Sequence, residues 1–192
     1  MVDTATNSKT IAKNTLYLYF RMMVTMLITL YTSRVVLKIL GVDDYGVYQA
    51  VGGIVGFLSF LNNALSTGSS RFITFGLGEG DKEKLRRIFS TTLTIHICLA
   101  IIIIVFAETI GLWFLHNKLV IAEDRVAAGE FVYHLSILTA FFSLTQVPYR
   151  ASIIAHEKMS VFAGVTIVEA ILQLSIVFVL PMSNIDKLKL YA

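Results

Sequence analysis

Five long apolar runs constrain what this chain can fold into more than any other feature. They cover residues 15–33, 47–70, 88–107, 131–149 and 161–180. Their lengths approach or exceed the roughly 20 residues that an α-helix needs to cross a hydrocarbon core of about 30 Å. The runs are continuous and lack the alternation of barrel strands. The chain is also 56% hydrophobic and 15% charged, with a mean hydropathy of +0.74. We predict an all-α, polytopic membrane helix bundle.

Short polar segments separate the apolar runs. They read GVDDYG, FGLGEGDKEKLRR, LHNKLVIAEDRVAAGE and RASIIAHEKMS. Their glycines and charges are typical of turns, so we predict a loop at each and no second domain. After Pro181 the sequence becomes apolar again before Ala192, which indicates the start of a sixth span. On this interpretation, residues 1–192 are an incomplete N-terminal transmembrane bundle whose second bundle is absent.

The basic residues predict an orientation, because cytoplasmic flanks of membrane spans carry an excess of Lys and Arg. The larger set falls on the side of the N-terminus: Lys9, Lys13, Arg71, Lys82, Lys84, Arg86, Arg87, Arg150 and Lys158. The smaller set falls on the other side: Arg34, Lys38, Lys118, Arg125, Lys187 and Lys189. We therefore expect a cytoplasmic N-terminus. The basic run at residues 82–87 then determines topology, and binding of anionic lipid headgroups is its alternative role.

Polar residues recur along one side of four predicted helices, projected at about 100° per residue. The stripes are Arg21, Thr25, Thr29 and Thr32; Gly52, Gly56, Ser59, Asn63, Ser66 and Ser70; Thr139, Ser143, Gln146 and Arg150; and Thr166, Glu169 and Gln173. One interpretation is close packing, since Gly52 and Gly56 form a G-x-x-x-G and hydroxyls can bond their own backbone. The other is a shared water-filled cavity, which favours a transporter over a receptor anchor.

Glu169 is the strongest single functional candidate. A carboxylate near the middle of a membrane costs several kcal/mol unless it is paired, hydrated or protonated. A buried structural pair with Arg21 would meet that requirement. The alternative is a cavity role for Glu169 in ion coupling or substrate contact.

The sequence contains no motif that fits a soluble enzyme. The glycines of GLGEGD have the wrong spacing for a dinucleotide fingerprint, and AHEKMS has Ser160 where a metalloprotease helix needs its second His. The histidines lie in different elements: His96, His116, His134 and His156. Cys98 is the single cysteine and excludes a disulfide within the chain. We therefore predict no enzymatic activity, no cofactor, no metal site and no nucleic-acid partner.

Two stretches of the chain resemble a known family. The run RVVLKILGVDDYGVYQAVGGIVGFLSFLNNALSTGSSRFI combines an Arg, a Leu-Gly, an Asp-Tyr-Gly-x-Tyr and a small-residue helix that ends in Arg-Phe. The later PYRASIIAHEKMSVFAGVTIVEA adds an Ala-His-Glu-Lys turn. Together they resemble the polysaccharide exporters, including O-antigen flippases, of the multidrug/oligosaccharidyl-lipid/polysaccharide exporter superfamily. The resemblance covers essentially the whole chain.

The resemblance implies a multi-pass transporter of the bacterial inner membrane that works by alternating access between two bundles. Its substrate would be a lipid-linked oligosaccharide, and its partners would be the bilayer and other proteins of polysaccharide assembly. By the same resemblance, arginines of the cavity would receive the diphosphate-sugar headgroup: Arg21, Arg34, Arg71 and Arg150. Guanidinium suits phosphate because it donates two parallel hydrogen bonds. Three amides of the stripes are expected to line the same cavity: Asn63, Gln146 and Gln173.

Arg34 and Lys38 pose a separate question, because they share a helix face that lies opposite Arg21 on an ideal helix. One interpretation is that both side chains reach the membrane interface and pair there with Asp43 and Asp44. The other is direct contact of Arg34 with the substrate headgroup.

Three other functions compete with the flippase. The first is a Na⁺- or H⁺-coupled multidrug exporter, against which one intramembrane carboxylate among several arginines argues mildly. The second is a membrane enzyme acting on glycolipids, which would need a longer external loop than the predicted connector at residues 108–130. The third is a structural scaffold, against which the aligned polar stripes argue.

Overall fold

The computed structural model describes residues 4–56, 59–183 and 186–191. The described residues form eight α-helices: α1 Thr4–Gly56, α2 Ser59–Gly78, α3 Lys82–Phe106, α4 Leu112–Lys118, α5 Val126–Thr145, α6 Val147–Ala155, α7 Met159–Val179 and α8 Lys187–Tyr191. A π-helical turn at Ala107–Gly111 joins α3 to α4, and 3₁₀ turns at Glu123–Arg125 and Leu180–Met182 precede α5 and follow α7. The described residues contain no strand, so the predicted all-α class is confirmed.

Four stretches of described helix are long and apolar enough to cross a membrane: Ser8–Gly53, Lys82–Lys118, Glu123–Ala155 and Met159–Met182. The first predicted span and the start of the second lie in Ser8–Gly53, while the other three contain the third, fourth and fifth predicted spans. The rest of the predicted second span crosses residues 57–58, which lie outside the described part of the chain.

The connectors are shorter than predicted. In GVDDYG only Gly41 leaves the helix, with φ 83° and ψ 175°. Such a positive φ favours glycine, because a Cβ would clash there. The chain is helical again from Val42, which places Asp43 and Asp44 in a first turn, where the helix dipole favours negative charge. One glycine therefore replaces the predicted six-residue loop.

The other loops are short for similar reasons. Asp81 caps α3 by accepting hydrogen bonds from the backbone N–H of Glu83 at 2.9 Å and of Lys84 at 3.1 Å. The predicted RASIIAHEKMS loop is helical through Ala155, and only residues 156–158 turn before α7. Capping and a single tight turn are sufficient to reverse the chain, so helix extends into segments whose composition is typical of loops.

The core lies between α1, α4, α5, α7 and α8. Its buried side chains are Val36, Leu40, Val51, Leu115, Ala128, Val132, Tyr133, Ile137, Val177, Leu180 and Leu188. Many other large apolar side chains are exposed, including Leu30, Phe106 and Leu172. This is expected of helices whose outer faces contact lipid tails rather than water.

The π-helical turn is fixed by Tyr133, which is fully buried in α5. Its hydroxyl donates a hydrogen bond to the carbonyl oxygen of Ala107 at 2.7 Å. The ring passes so close to Gly111 that a Cβ built there would lie 1.9 Å from the Tyr133 hydroxyl oxygen. The absence of a side chain at Gly111 therefore allows α5 to approach this turn.

Candidate functional site

A groove of about 430 Å³ opens beside α6 and α7. Its polar lining comes from Gln146, Arg150, Thr166 and Glu169. Glu169 lies ten residues beyond Met159, where α7 begins. With a rise of about 1.5 Å per residue, this places it about 15 Å along the helix, half the thickness of a hydrocarbon core. The groove therefore presents charge at the depth where a membrane is most apolar.

Arg150 and Glu169 form a loose ion pair across this groove. Arg150 Nη2 lies 3.7 Å from Glu169 Oε2, and the two side chains are 44% and 64% exposed. The distance is too long for a hydrogen bond. The interpretation of Glu169 as a buried partner of Arg21 is wrong. Both α1 and α6 pack against α7, but Arg21 meets α7 at Phe162, seven residues before Glu169 and about 10 Å along the helix axis, so Arg150 is the nearer arginine.

Arg21 contacts the groove wall through an aromatic ring instead. Its guanidinium carbon lies 4.8 Å from the centroid of the Phe162 ring, and Phe162 lines the groove. Arg21 Nε is buried and has no hydrogen-bond partner among the described residues. A desolvated cation–π contact is worth about 2 kcal/mol. The ring therefore offsets part of the cost of burying this charge.

The predicted amides have three different outcomes. Gln146 lines the groove, as the stripe on the fourth span indicates. Gln173 is exposed beyond the groove and hydrogen-bonds to the hydroxyl of Tyr191 in α8. The side chain of Asn63 lies outside the described residues. The groove therefore brings together Gln146, Arg150 and Glu169 from the predicted set.

Arg34 and Arg71 lie away from the groove. Both are exposed, and within the described part of the chain neither makes an ion pair. The interpretation that pairs Arg34 and Lys38 with Asp43 and Asp44 is wrong: Asp44 pairs with Arg125, and within the described residues neither cation pairs with Asp43. The break at Gly41 starts a new helix direction, so Asp44 faces α5 rather than the preceding turn of α1.

Arg125 forms an ion cluster that sequence reasoning missed. Its Nε lies 3.1 Å from Asp44 Oδ1, and its Nη1 donates a hydrogen bond to Asp186 Oδ2 at 2.9 Å. Asp186 also accepts a hydrogen bond from the backbone N–H of Leu188, which caps α8. The three charges come from segments that are distant in sequence, so no local pattern could reveal them. The cluster holds α1, α5 and α8 together at one end of the bundle.

The small and hydroxyl residues of the stripes differ in how closely they pack: Thr32 is buried with 3% of its surface exposed, whereas the stripe glycines have space beside them. A Cβ built on Gly52 or Gly56 would meet nothing within 4 Å. The hydroxyls of Thr25 and Thr166 each donate a hydrogen bond to a backbone carbonyl four residues earlier, both at 2.9 Å. A hydrogen bond to the backbone of the same helix therefore accounts for the polar group of each of these two residues. The packing interpretation of the stripes allowed for such bonds.

A second buried polar contact joins α2 to α3. His96 is 2% exposed, and its Nδ1 donates to the carbonyl oxygen of Thr92 at 2.8 Å. With that proton on Nδ1, a neutral ring accepts at Nε2, where the hydroxyl of Ser69 lies at 3.5 Å. The stripe on the second span indicated Ser66 and Ser70 instead. The buried position belongs to Ser69 because α3, with its polar His96, packs against that side of α2.

The side chains of the groove are suited to reversible ion binding. Arg150 can hold an anion and Glu169 a cation, with the rings of Tyr149 and Phe162 beside them. Among the described residues, no group of three or more His, Cys, Asp and Glu side chains could hold a metal ion. Such a site can bind and release a charged group without covalent chemistry.

Cysteine labelling tests whether water reaches this groove. In a Cys98→Ala background, we expect Gln146→Cys and Thr166→Cys to react with a membrane-impermeant maleimide at least about tenfold faster than Ile102→Cys and Val105→Cys, because thiolates form only in water. The two control positions are exposed apolar residues of α3. The rates would be measured in proteoliposomes. Equal rates at all four positions would show that lipid fills the groove.

The model of the MatE family matches residues 18–179 of the chain. This match includes α1 from Leu18 onwards and every residue that lines the groove. Comparisons with curated proteins and with solved structures returned no match.

Proposed function

Because the chain belongs to the MatE family, within the multidrug/oligosaccharidyl-lipid/polysaccharide exporter superfamily, we propose that this multi-pass membrane transporter moves a lipid-linked oligosaccharide across the bacterial inner membrane. The transported unit is a polysaccharide or O-antigen repeat unit on its lipid carrier. It passes from the cytoplasmic to the periplasmic leaflet by alternating access, without covalent chemistry. The excess of Lys and Arg on the side of the N-terminus supports a cytoplasmic N-terminus.

The loose pair of Arg150 and Glu169 is the observation that carries this proposal. A diphosphate headgroup needs a guanidinium that is available inside the membrane. At 3.7 Å and with both side chains partly exposed, Arg150 loses little when it exchanges Glu169 for phosphate oxygens. Glu169 is then left without its cation and can bind an external one. The same exchange would couple headgroup binding to an ion.

Substitution in the encoding gene tests the roles of both residues. Arg150→Gln and Glu169→Gln are expected to lower surface polysaccharide by at least about tenfold, because one charge-assisted hydrogen bond is worth about 1.5–3 kcal/mol. Because the proposed groove is filled with water, a charge that loses its partner stays hydrated, so we expect membrane insertion and thermal stability to remain unchanged. Surface polysaccharide would be measured by gel and by glycan staining of intact cells. Lys189→Gln is the matched control, since it removes an exposed charge far from the groove.

The outcome that contradicts the proposal is normal surface polysaccharide in both groove variants. Arg150→Lys refines the result. It keeps the charge but not the planar fork of donors, so partial activity is expected if bidentate contact with phosphate matters.

Export of a cationic drug coupled to Na⁺ or H⁺ is the second candidate function. The observation in its favour is Glu169, whose side chain is 64% exposed inside the groove and could bind a cation directly. This function predicts that Glu169→Gln sensitises cells to cationic dyes while surface polysaccharide stays normal. The flippase predicts the reverse pattern, so the same pair of variants separates the two.

A further inference from the structure

A larger groove lies where α2 turns into α3, outside the site described above. It encloses about 570 Å³ between Phe72 of α2 and the first turns of α3. A second groove of about 500 Å³ adjoins it and shares Glu83 and Arg87 in its lining. The two form one surface, which we call the α2–α3 groove.

The charged end of the α2–α3 groove has an excess of unpaired cations. Lys84 is paired with Glu79, which lies 2.6 Å away, and Asp81 is occupied in capping α3. Three cations of the lining remain, Lys82, Arg86 and Arg87, against two carboxylates, Glu83 and the capping Asp81, so one positive charge is in excess. Within the described residues none of these three cations makes an ion pair. The rim is therefore complementary to an anion.

The other end of the α2–α3 groove is apolar. Phe72 is 68% exposed and Ile95 is 50% exposed, and Ile88 completes this wall. Ile95 lies eight residues beyond Arg87 on α3, or about 12 Å along the helix axis. The groove thus has a cationic rim at one end and an apolar wall beside it. The length of this wall matches that of the upper part of a lipid acyl chain.

The position along the membrane normal matches this arrangement. The candidate span Lys82–Lys118 begins with the cationic rim, so the rim lies at the level of the lipid headgroups. The apolar wall follows in the next turns of the same helix, inside the hydrocarbon region. Clusters of Lys and Arg at this level attract anionic lipids by about 1 kcal/mol for each charge.

We propose that the α2–α3 groove is a binding site for one anionic phospholipid of the leaflet next to the N-terminus. Arg86 and Arg87 hold the headgroup phosphate, and an acyl chain lies along Phe72 and Ile95. The site is separate from the Arg150–Glu169 groove and does not depend on which substrate the protein transports. A role of the basic run in topology alone needs no bound lipid.

Lipid retention by the purified full chain tests the proposal. The protein would first be delipidated and then titrated with phosphatidylglycerol or with phosphatidylcholine. Native mass spectrometry would count the lipid molecules bound to each protein molecule. We expect phosphatidylglycerol to bind and phosphatidylcholine to bind much more weakly. In an Arg86→Gln, Arg87→Gln double variant, phosphatidylglycerol affinity should fall by about 30-fold, the loss expected from two interfacial cations.

The matched control is a Lys187→Gln, Lys189→Gln double variant, which removes the same charge from exposed positions of α8 and should bind phosphatidylglycerol normally. Phe72→Ser is a second probe: it should weaken phosphatidylglycerol binding while binding of inorganic phosphate stays unchanged. Equal retention of the two lipids, or equal losses in both double variants, would overturn the proposal. A further contradicting result is that inorganic phosphate raises the midpoint of thermal unfolding as much as phosphatidylglycerol does. That result would identify a site for anions in general and would also overturn the lipid proposal.

Discussion

Gly111→Ala is expected to destabilise the protein by about 3 kcal/mol, because overpacking costs about 1–3 kcal/mol and a lost buried hydrogen bond adds about 1 kcal/mol. The added Cβ would lie 1.9 Å from the hydroxyl oxygen of Tyr133, whose side chain is fully buried. The ring must shift and release its hydrogen bond to Ala107. In detergent, the midpoint of thermal unfolding should fall by about 10 °C for a chain of this size.

A double-mutant cycle makes the cause specific. Tyr133→Phe removes the atom that an alanine at position 111 would meet, and the next ring atom lies 3.1 Å from the added Cβ. Gly111→Ala should therefore cost less than about 1 kcal/mol in the Tyr133→Phe background. Gly164→Ala is the control, since a Cβ there meets nothing within 4 Å, and it should leave the midpoint unchanged or higher. If Gly111→Ala is equally costly in both backgrounds, the proposed clash is not the cause.

Arg125→Gln is expected to lower the free energy of unfolding by about 3 kcal/mol. This is the lower end of the roughly 3–5 kcal/mol that is lost when a buried charge is left without its partner. The side chain of Asp44 is 11% exposed and that of Asp186 is 31% exposed. Both would lose their cation, and α8 would lose its link to α5. Thermal unfolding in detergent would measure the loss, with Lys189→Gln as the control for removing a cation elsewhere.

Removing the carboxylate of Asp44, which is left unpaired in Arg125→Gln, should restore part of the lost stability. In an Arg125→Gln, Asp44→Asn double variant the buried carboxylate is gone, so we expect recovery of at least about half of the loss. The single Asp44→Asn variant should be milder than Arg125→Gln, because Arg125 keeps Asp186 as a partner at 2.9 Å. No recovery in the double variant would mean that Arg125 acts through packing of its aliphatic stem rather than through Asp44.

Part of the groove is predictable because both helices that form it have a simple periodicity. Gln146 and Arg150 are four residues apart, as Thr166 and Glu169 are three apart, so each pair occupies one face. The groove indeed contains all four. The partner of Glu169 could not be found in this way. Periodicity relates residues within one helix, whereas the choice between Arg21 and Arg150 depends on the level at which each arginine meets α7.

The positions of the loops are predictable from the sequence, but their lengths are not. The charged and glycine-rich segments predict breaks between helices, and breaks do occur at Gly41 and at residues 156–158. Their extent is overestimated, because composition cannot show that one positive φ at Gly41 or one cap at Asp81 completes a turn. The polar residues of these segments then continue into helix.

The sequence alone determined that this protein is a membrane helix bundle, because its apolar runs are long enough to cross a bilayer. It also identified Glu169 as a functional candidate, because a charge inside a membrane helix is costly. These properties follow from each segment by itself, since the hydrophobic effect and backbone hydrogen bonding act on every helix independently of its neighbours. Only the tertiary structure decided which charges meet. Arg150 faces Glu169, Arg125 bridges Asp44 and Asp186, and Tyr133 rests on Gly111. Each pair joins separate helices, and contacts of that kind depend on packing that no single segment encodes.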